Sequence, residues 1–157
     1  MKKIEYFSLK FENDTLIFID QTRLPFEEEY IKTDEYDRIA RAIENLEIRG
    51  APAIGIAAAY ALALAVKKSE ADNIKQTFET AFKRLGSTRP TAVNLFTALD
   101  EMQQVFYALN PSANPYAALL GKAVEIHSDD IEKCRKIGEN GLTMFRRKSS
   151  VITHCNT

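Results

Sequence analysis

Hydrophobic and polar positions alternate along the first thirty-odd residues and then, from Thr33 onward, recur at helical spacing. Ile4, Tyr6, Ser8 and Lys10 interleave with Glu5, Phe7, Leu9 and Phe11, so one face of this stretch is the more apolar, as in a half-buried strand. Asn13-Asp14 is a turn signal, and Thr15-Leu16-Ile17-Phe18-Ile19 predicts a second strand. Leu24-Pro25 breaks the pattern, and Phe26 to Ile31 predicts a third, edge strand carrying glutamates. Together these predict a small antiparallel meander over residues 1–32.

Past the meander the pattern is helical. Thr33 is placed to cap a first helix, with Asp34 and Glu35 in its first turn and Tyr36, Ile39, Ala40, Ile43 and Leu46 on one face. Gly50 is the stop. Pro52 suits the first turn of the next helix, Ala53 to Lys67, which is apolar nearly all round. Such a helix belongs at the centre of a bundle, and its Ala and Gly residues permit close approach. A third helix is predicted from Glu70 to Leu85, with Ile74, Phe78, Ala81, Phe82 and Leu85 inward. A fourth begins after Pro90 and carries Val93, Phe96, Leu99, Met102, Phe106 and Leu109 inward. A fifth spans Pro115 to Arg147, with a kink expected near Gly138 or Gly141. Ser149-Ser150 breaks the pattern, and Val151-Ile152 reads as a buried strand delivering Thr153-His154-Cys155-Asn156 at its carboxyl end.

Composition narrows the class without naming a function. The chain has 157 residues, enough for one domain with a core; 45% are hydrophobic and 27% charged. A net charge of −1 gives no general pull toward nucleic acid or anionic membrane. Two cysteines fit a reducing compartment and argue against a disulfide framework. The polar N-terminus does not read as a signal peptide, and the apolar run Ala51 to Val66 is too short to span a bilayer.

Three stretches are candidates for chemistry. In Arg49-Gly50-Ala51-Pro52-Ala53-Ile54-Gly55 a helix ends, turns and restarts. The unpaired first amides of the new helix suit an anion, and Arg49 is positioned to grip a phosphate. The alternative is an ordinary helix corner, with Arg49 neutralising the end of the preceding helix. Gly86-Ser87-Thr88-Arg89-Pro90-Thr91-Ala92-Val93-Asn94 repeats the arrangement, an arginine in a polar turn before a helix start; a solvent-facing arginine is its plain alternative. In Thr153-His154-Cys155-Asn156 the cysteine sits where α/β domains bind ligands, although a buried structural thiol fits as well. Cys134 is expected to pack in the core from the fifth helix, and His127 to lie on the surface beside Asp129-Asp130. No metal-ligand spacing, dinucleotide loop or nucleophile elbow is present.

Taken together and in this order, "RGAPAIGIAAAYALALA", "GSTRPTAVNLF" and "ITHCNT", with "DQTRLP" at Asp20 to Pro25, resemble the methylthioribose-1-phosphate isomerase family. That family shares a superfamily with the regulatory alpha, beta and delta subunits of initiation factor 2B. The resemblance covers the whole chain. It implies an α+β fold: residues 1–148 form an N-terminal domain (meander 1–32, helical bundle 33–148), and residues 149–157 begin a Rossmann-like domain that the family continues beyond this chain.

The resemblance further implies an aldose–ketose isomerase that converts 5-methylthioribose 1-phosphate to 5-methylthioribulose 1-phosphate in methionine salvage. It implies no metal and no organic cofactor, a cytoplasmic setting, a sugar phosphate as partner, and a homodimer for the full-length protein. Arg49, Gly50, Ala51 and Arg89 match substrate-binding positions, and Cys155 the catalytic cysteine. The family's catalytic aspartate falls in the part not covered, so the chain alone is expected to be inactive. Thr97 departs from the tryptophan usual in the family and predicts a smaller contact there. The readings beside it are a non-catalytic regulatory subunit, and an isomerase of ribose 1,5-bisphosphate or another 5-deoxypentose 1-phosphate.

Overall fold

The computed structural model describes residues 7–145, 149, 150 and 152. Its first layer is a three-stranded antiparallel sheet of order β1 (Leu9–Glu12), β2 (Thr15–Ile19) and β3 (Tyr30–Thr33). Asn13 and Asp14 join β1 to β2 in a two-residue turn with φ of 51° and 57°. Two left-handed residues give a turn whose twist matches that of the flanking strands, and Asn and Asp tolerate that region. Leu16 and Phe18 are fully buried against the helices.

The third strand lies later than the pattern predicts. Residues 26–29 are not strand, because a side-chain network folds the segment after β2 into a loop. Asp20 Oδ1 accepts from the Thr22 amide at 2.9 Å and the Thr22 hydroxyl at 2.6 Å. The Arg23 carbonyl accepts from the amides of Phe26 and Glu27, and its guanidinium pairs with Glu27 at 2.6 Å and Glu29 at 2.8 Å. The glutamates expected on an edge strand are therefore the acidic side of an arginine clasp, and pairing begins at Ile19 with Tyr30.

The helical body follows: α1 (Tyr36–Glu44), α2 (Ala51–Lys67), a 3-10 turn (Ala71–Asn73), α3 (Ile74–Gly86), α4 (Val93–Tyr107) and α5 (Pro115–Leu142). The small sheet and the helical body agree with the α+β expectation. Thr33 does not cap α1. It remains in β3, where its Oγ1 accepts from the Glu35 amide, and Glu35 is the residue that precedes the helix. α1 ends at Glu44, and Leu46, expected inward, stands at φ 63° and 43% exposed. α2 lies at the centre as expected, every residue from Ile54 to Val66 buried. Its neighbours α1, α3, α4 and α5 all pack on it.

Two inward faces differ from the pattern. On α4 the buried residues are Leu95, Ala98, Leu99 and Met102, while Val93 is 75% exposed and Phe96 partly so. Both sets have helical spacing; close approach to α2 selects the one with Ala98. On α5, Leu119 and Ala123 are buried, and Ile126 and His127 still pack on the body; residues 133–140 are all exposed, so Cys134 is exposed rather than in the core. α5 runs as one helix through Gly138 to Leu142. His127 is not a surface residue. It is half-buried, with Nδ1 3.1 Å from the Tyr60 hydroxyl and its ring edge-on to Tyr60. Burial lowers its pKa below 6.5, with Asp130 pulling weakly the other way, and burial pushes the Tyr60 phenol up to about 12.

Candidate functional site

The two arginine turns meet. Arg49, Gly50 and Ala51 line one wall of a cleft of about 560 Å³, and Arg89 with Thr91, Ala92, Val93 and Asn94 lines the other. The first wall is the start of α2 and the second the start of α4, so two helix N-termini point into one space.

Neither helix neutralises its own positive end. α2 has Gly50 at the cap and α4 has Ala92; neither makes a side-chain capping bond, and neither helix has an acidic residue in its first turn. Among the described residues, the amides of Ala51, Ala53, Val93 and Asn94 have no acceptor. Partial positive charge is therefore left open on both walls. α5 shows the contrast: Asn114 caps it, its side-chain oxygen accepting from the Ala117 amide at 3.1 Å.

The guanidinium groups sharpen this picture. Of the seven described arginines, Arg23, Arg38, Arg41, Arg84 and Arg135 each pair with a carboxylate. Among the described residues, Arg49 and Arg89 have no carboxylate within 4.0 Å, and both line the cleft. Arginine offers a planar fork of donors that matches a phosphate. Two such forks and two open helix ends in one cleft have the chemistry that suits a doubly charged anion.

The walls are held at a fixed spacing by the motif's second glycine. A Cβ built on Gly55 would lie 2.6 Å from the Asn94 backbone oxygen and 3.3 Å from the Ala98 methyl. Only a residue without a side chain lets α2 approach α4 this closely at the mouth of the site. Gly50 has a different role. At φ 94° it takes the left-handed turn that redirects the chain from the 45–49 segment into α2. Pro52 sits in the first turn, where no amide is needed.

Thr97 lies outside this cleft. Its hydroxyl donates to the Val93 carbonyl at 3.2 Å, and the residue lines a separate hollow of about 100 Å³ with Pro52, Gly55 and Glu101. Cys155 lies outside the described residues, as do Val151 and Thr153 to Thr157 of the expected terminal strand; Ile152 is exposed. Among the described residues no three His, Cys, Asp or Glu side chains gather as a metal site, and no helix is long and apolar enough to cross a membrane. Two features of the site were not legible in the pattern: the bare amides of α4, and the tight Gly55–Asn94 contact.

Comparison with known proteins identifies relatives of the chain. Residues 47–157 match the Initiation factor 2 subunit family. The chain is 41% identical over 152 residues to a protein named methylthioribose-1-phosphate isomerase from Carboxydothermus hydrogenoformans, covering 95% of this chain and 44% of that one. It is 35% identical over 154 residues to a protein of the same name from Thermotoga petrophila, covering 98% and 45%. The chain thus spans a little under half the length of these relatives. Among solved structures it is similar to 5-methylthioribose 1-phosphate isomerase from Pyrococcus horikoshii (TM-score 0.75, 35% identity, 80% of this chain and 36% of that one). It is also similar to translation initiation factor eIF-2B, subunit delta, from A. fulgidus (TM-score 0.83, 34% identity, 90% and 42%).

Proposed function

The chain belongs to the Initiation factor 2 subunit family, and on that premise we propose that it forms the phosphate-gripping part of an aldose–ketose isomerase acting on 5-methylthioribose 1-phosphate in methionine salvage. The observation that carries this reading is the pairing of Arg49 and Arg89, the two described arginines without a carboxylate, across a cleft floored by two uncapped helix starts. The names of the sequence relatives supply the substrate. The same helical body occurs in a protein named a translation initiation factor subunit, so the fold alone does not separate a catalyst from a regulatory subunit. The unneutralised arginine pair favours the sugar phosphate.

The chemistry gives the anchor a purpose. The phosphate sits on the anomeric carbon, so the sugar ring cannot open as a free aldose does. The enzyme must assist ring opening and then move hydrogen between the first two carbons with water excluded. Arg49, Arg89 and the amides beside them hold the phosphate, and through it the carbon that reacts. Cys155 is assigned as a catalytic group from the family motif, and a catalytic aspartate is placed outside this chain. Catalytic groups that act as a unit are strongly non-additive, so the chain by itself binds the sugar phosphate but does not turn it over at a useful rate. The full-length protein is proposed to be a cytoplasmic homodimer that binds no nucleic acid.

Calorimetry with methylthioribose 1-phosphate tests the reading. Arg49→Ala and Arg89→Ala should each cost ~1.5–3 kcal/mol, roughly ten- to a hundredfold or slightly more in affinity. Methylthioribose without the phosphate should bind poorly to every form. Equal affinity for the sugar with and without its phosphate would reject the assignment.

A further inference from the structure

Resting on the anion-site reading above, we propose that Gln21 is a positioning residue for this site: it holds the Arg49 backbone so that the guanidinium and the first turn of α2 face the cleft. The segment from Asn45 to Gly50 is not helix or strand, yet its backbone is tied along most of its length. The Asn45 amide donates to the Arg41 carbonyl, Leu46 to Ile43 and Ile48 to Ala42. The Glu47 carboxylate is held by Arg38 at 2.5 Å. The Gly50 carbonyl accepts from the Ile54 amide at 3.0 Å.

A single residue takes both the Glu47 and the Arg49 carbonyls. The Gln21 amide donates to the Glu47 carbonyl at 3.0 Å, and the Gln21 side chain, through Nε2, donates to the Arg49 carbonyl at 3.2 Å. Gln21 follows Asp20, which is 8% exposed and fixed by Thr22, so the donor is itself held in place. The loop after β2 thus clamps the approach to Gly50 from outside the helical body. No other side-chain donor reaches the Arg49 carbonyl among the described residues. Arg49 has no ion pair of its own there, so its placement depends on its backbone.

The test is an NMR titration of the 157-residue chain with inorganic phosphate. Gln21→Met keeps the side-chain length and removes the donor; Gln21→Asn keeps an amide that is too short to reach. Each should weaken phosphate binding about three- to tenfold, the range of one neutral hydrogen bond lost. The same loss should persist with Arg89→Ala and shrink below about twofold with Arg49→Ala, because Gln21 acts through Arg49. An equal loss in all three backgrounds, or no loss in any, overturns the proposal. The ¹⁵N relaxation of residues 47–50 reads the clamp without ligand: these amides should loosen in both variants while the rest of the spectrum holds. If they stay as rigid as in the parent, the proposal fails. If the parent chain binds no phosphate, the function proposed above fails, and the relaxation result alone decides the clamp.

Discussion

At its C-terminal end α2 presents Lys67 and Lys68, and both are answered by acids. Lys67 pairs with Asp14 at 2.5 Å, Tyr116 donates to the other oxygen of the same carboxylate, and Lys68 pairs with Asp34 at 2.9 Å and Glu35 at 2.5 Å. The pairings pull the Asp14 and Asp34 carboxyls below the usual carboxylate range, chiefly through their bonds to Lys67 and Lys68. At its N-terminal end the same helix meets Arg49 and Arg89, and no described acid answers either. The difference separates two uses of charge. The closed end fastens the hairpin turn, α1 and α5 to the central helix. The open end has no described acid, as the anion site proposed above requires.

The largest break in this contrast is expected at Gly55. Gly55→Ala puts a methyl 2.6 Å from the Asn94 carbonyl oxygen, which is backbone and cannot swing away. Overpacking of this kind costs ~1–3 kcal/mol. Chemical denaturation should show that loss, and phosphate affinity should fall with it because the two walls separate. Loss of stability with unchanged affinity would show that the spacing does not matter to the site.

A smaller effect should fall on the closed end alone. Tyr116→Phe removes a donor from Asp14, which keeps Lys67. The thermal midpoint should drop slightly, while phosphate affinity stays within about twofold of the parent. A clear affinity change would mean that the two ends are coupled through α2.

The smallest concerns the middle of the helix, where Tyr60 meets His127. Burial holds His127 below its usual value of 6.5, so the unfolded chain binds its proton more readily than the folded one. The stability contributed is present above about pH 6.5 and is lost as the pH falls through the folded value. Thermal melts between pH 7.5 and 5.5 should show that slope, and His127→Gln should flatten it. A slope unchanged by the substitution would assign it to other groups.

How far the sequence disclosed this depends on the kind of constraint. α2 was legible almost to the residue because an all-apolar run admits only a buried helix, and the Asn13-Asp14 turn because few residues take its backbone. The meeting of Arg49 with Arg89 was legible only as two similar turns; their convergence comes from packing. Errors arose where two readings share one period. Val93 and Phe96 are spaced like a core face, but the Gly55 approach turns Ala98 toward α2 instead. Thr33 has the chemistry of a cap, and pairing with Leu16 keeps it in the sheet. His127 looked like a surface residue beside two aspartates; Tyr60, far away in sequence, holds it. Cys134 lies on a part of α5 that has left the body, a fact no local pattern records.

The burial of α2 on every side from Ile54 to Val66 has a consequence for recognition. Fully buried helices lie at the high-stability end of a domain, where amides exchange chiefly on global opening. The floor of the proposed anion cleft begins one turn from it. A ligand arriving there finds donors whose directions are already fixed and pays little ordering entropy to use them. Selectivity then comes from a mould that does not yield: an anion whose oxygens miss the fixed amides cannot recruit them, however favourable its charge.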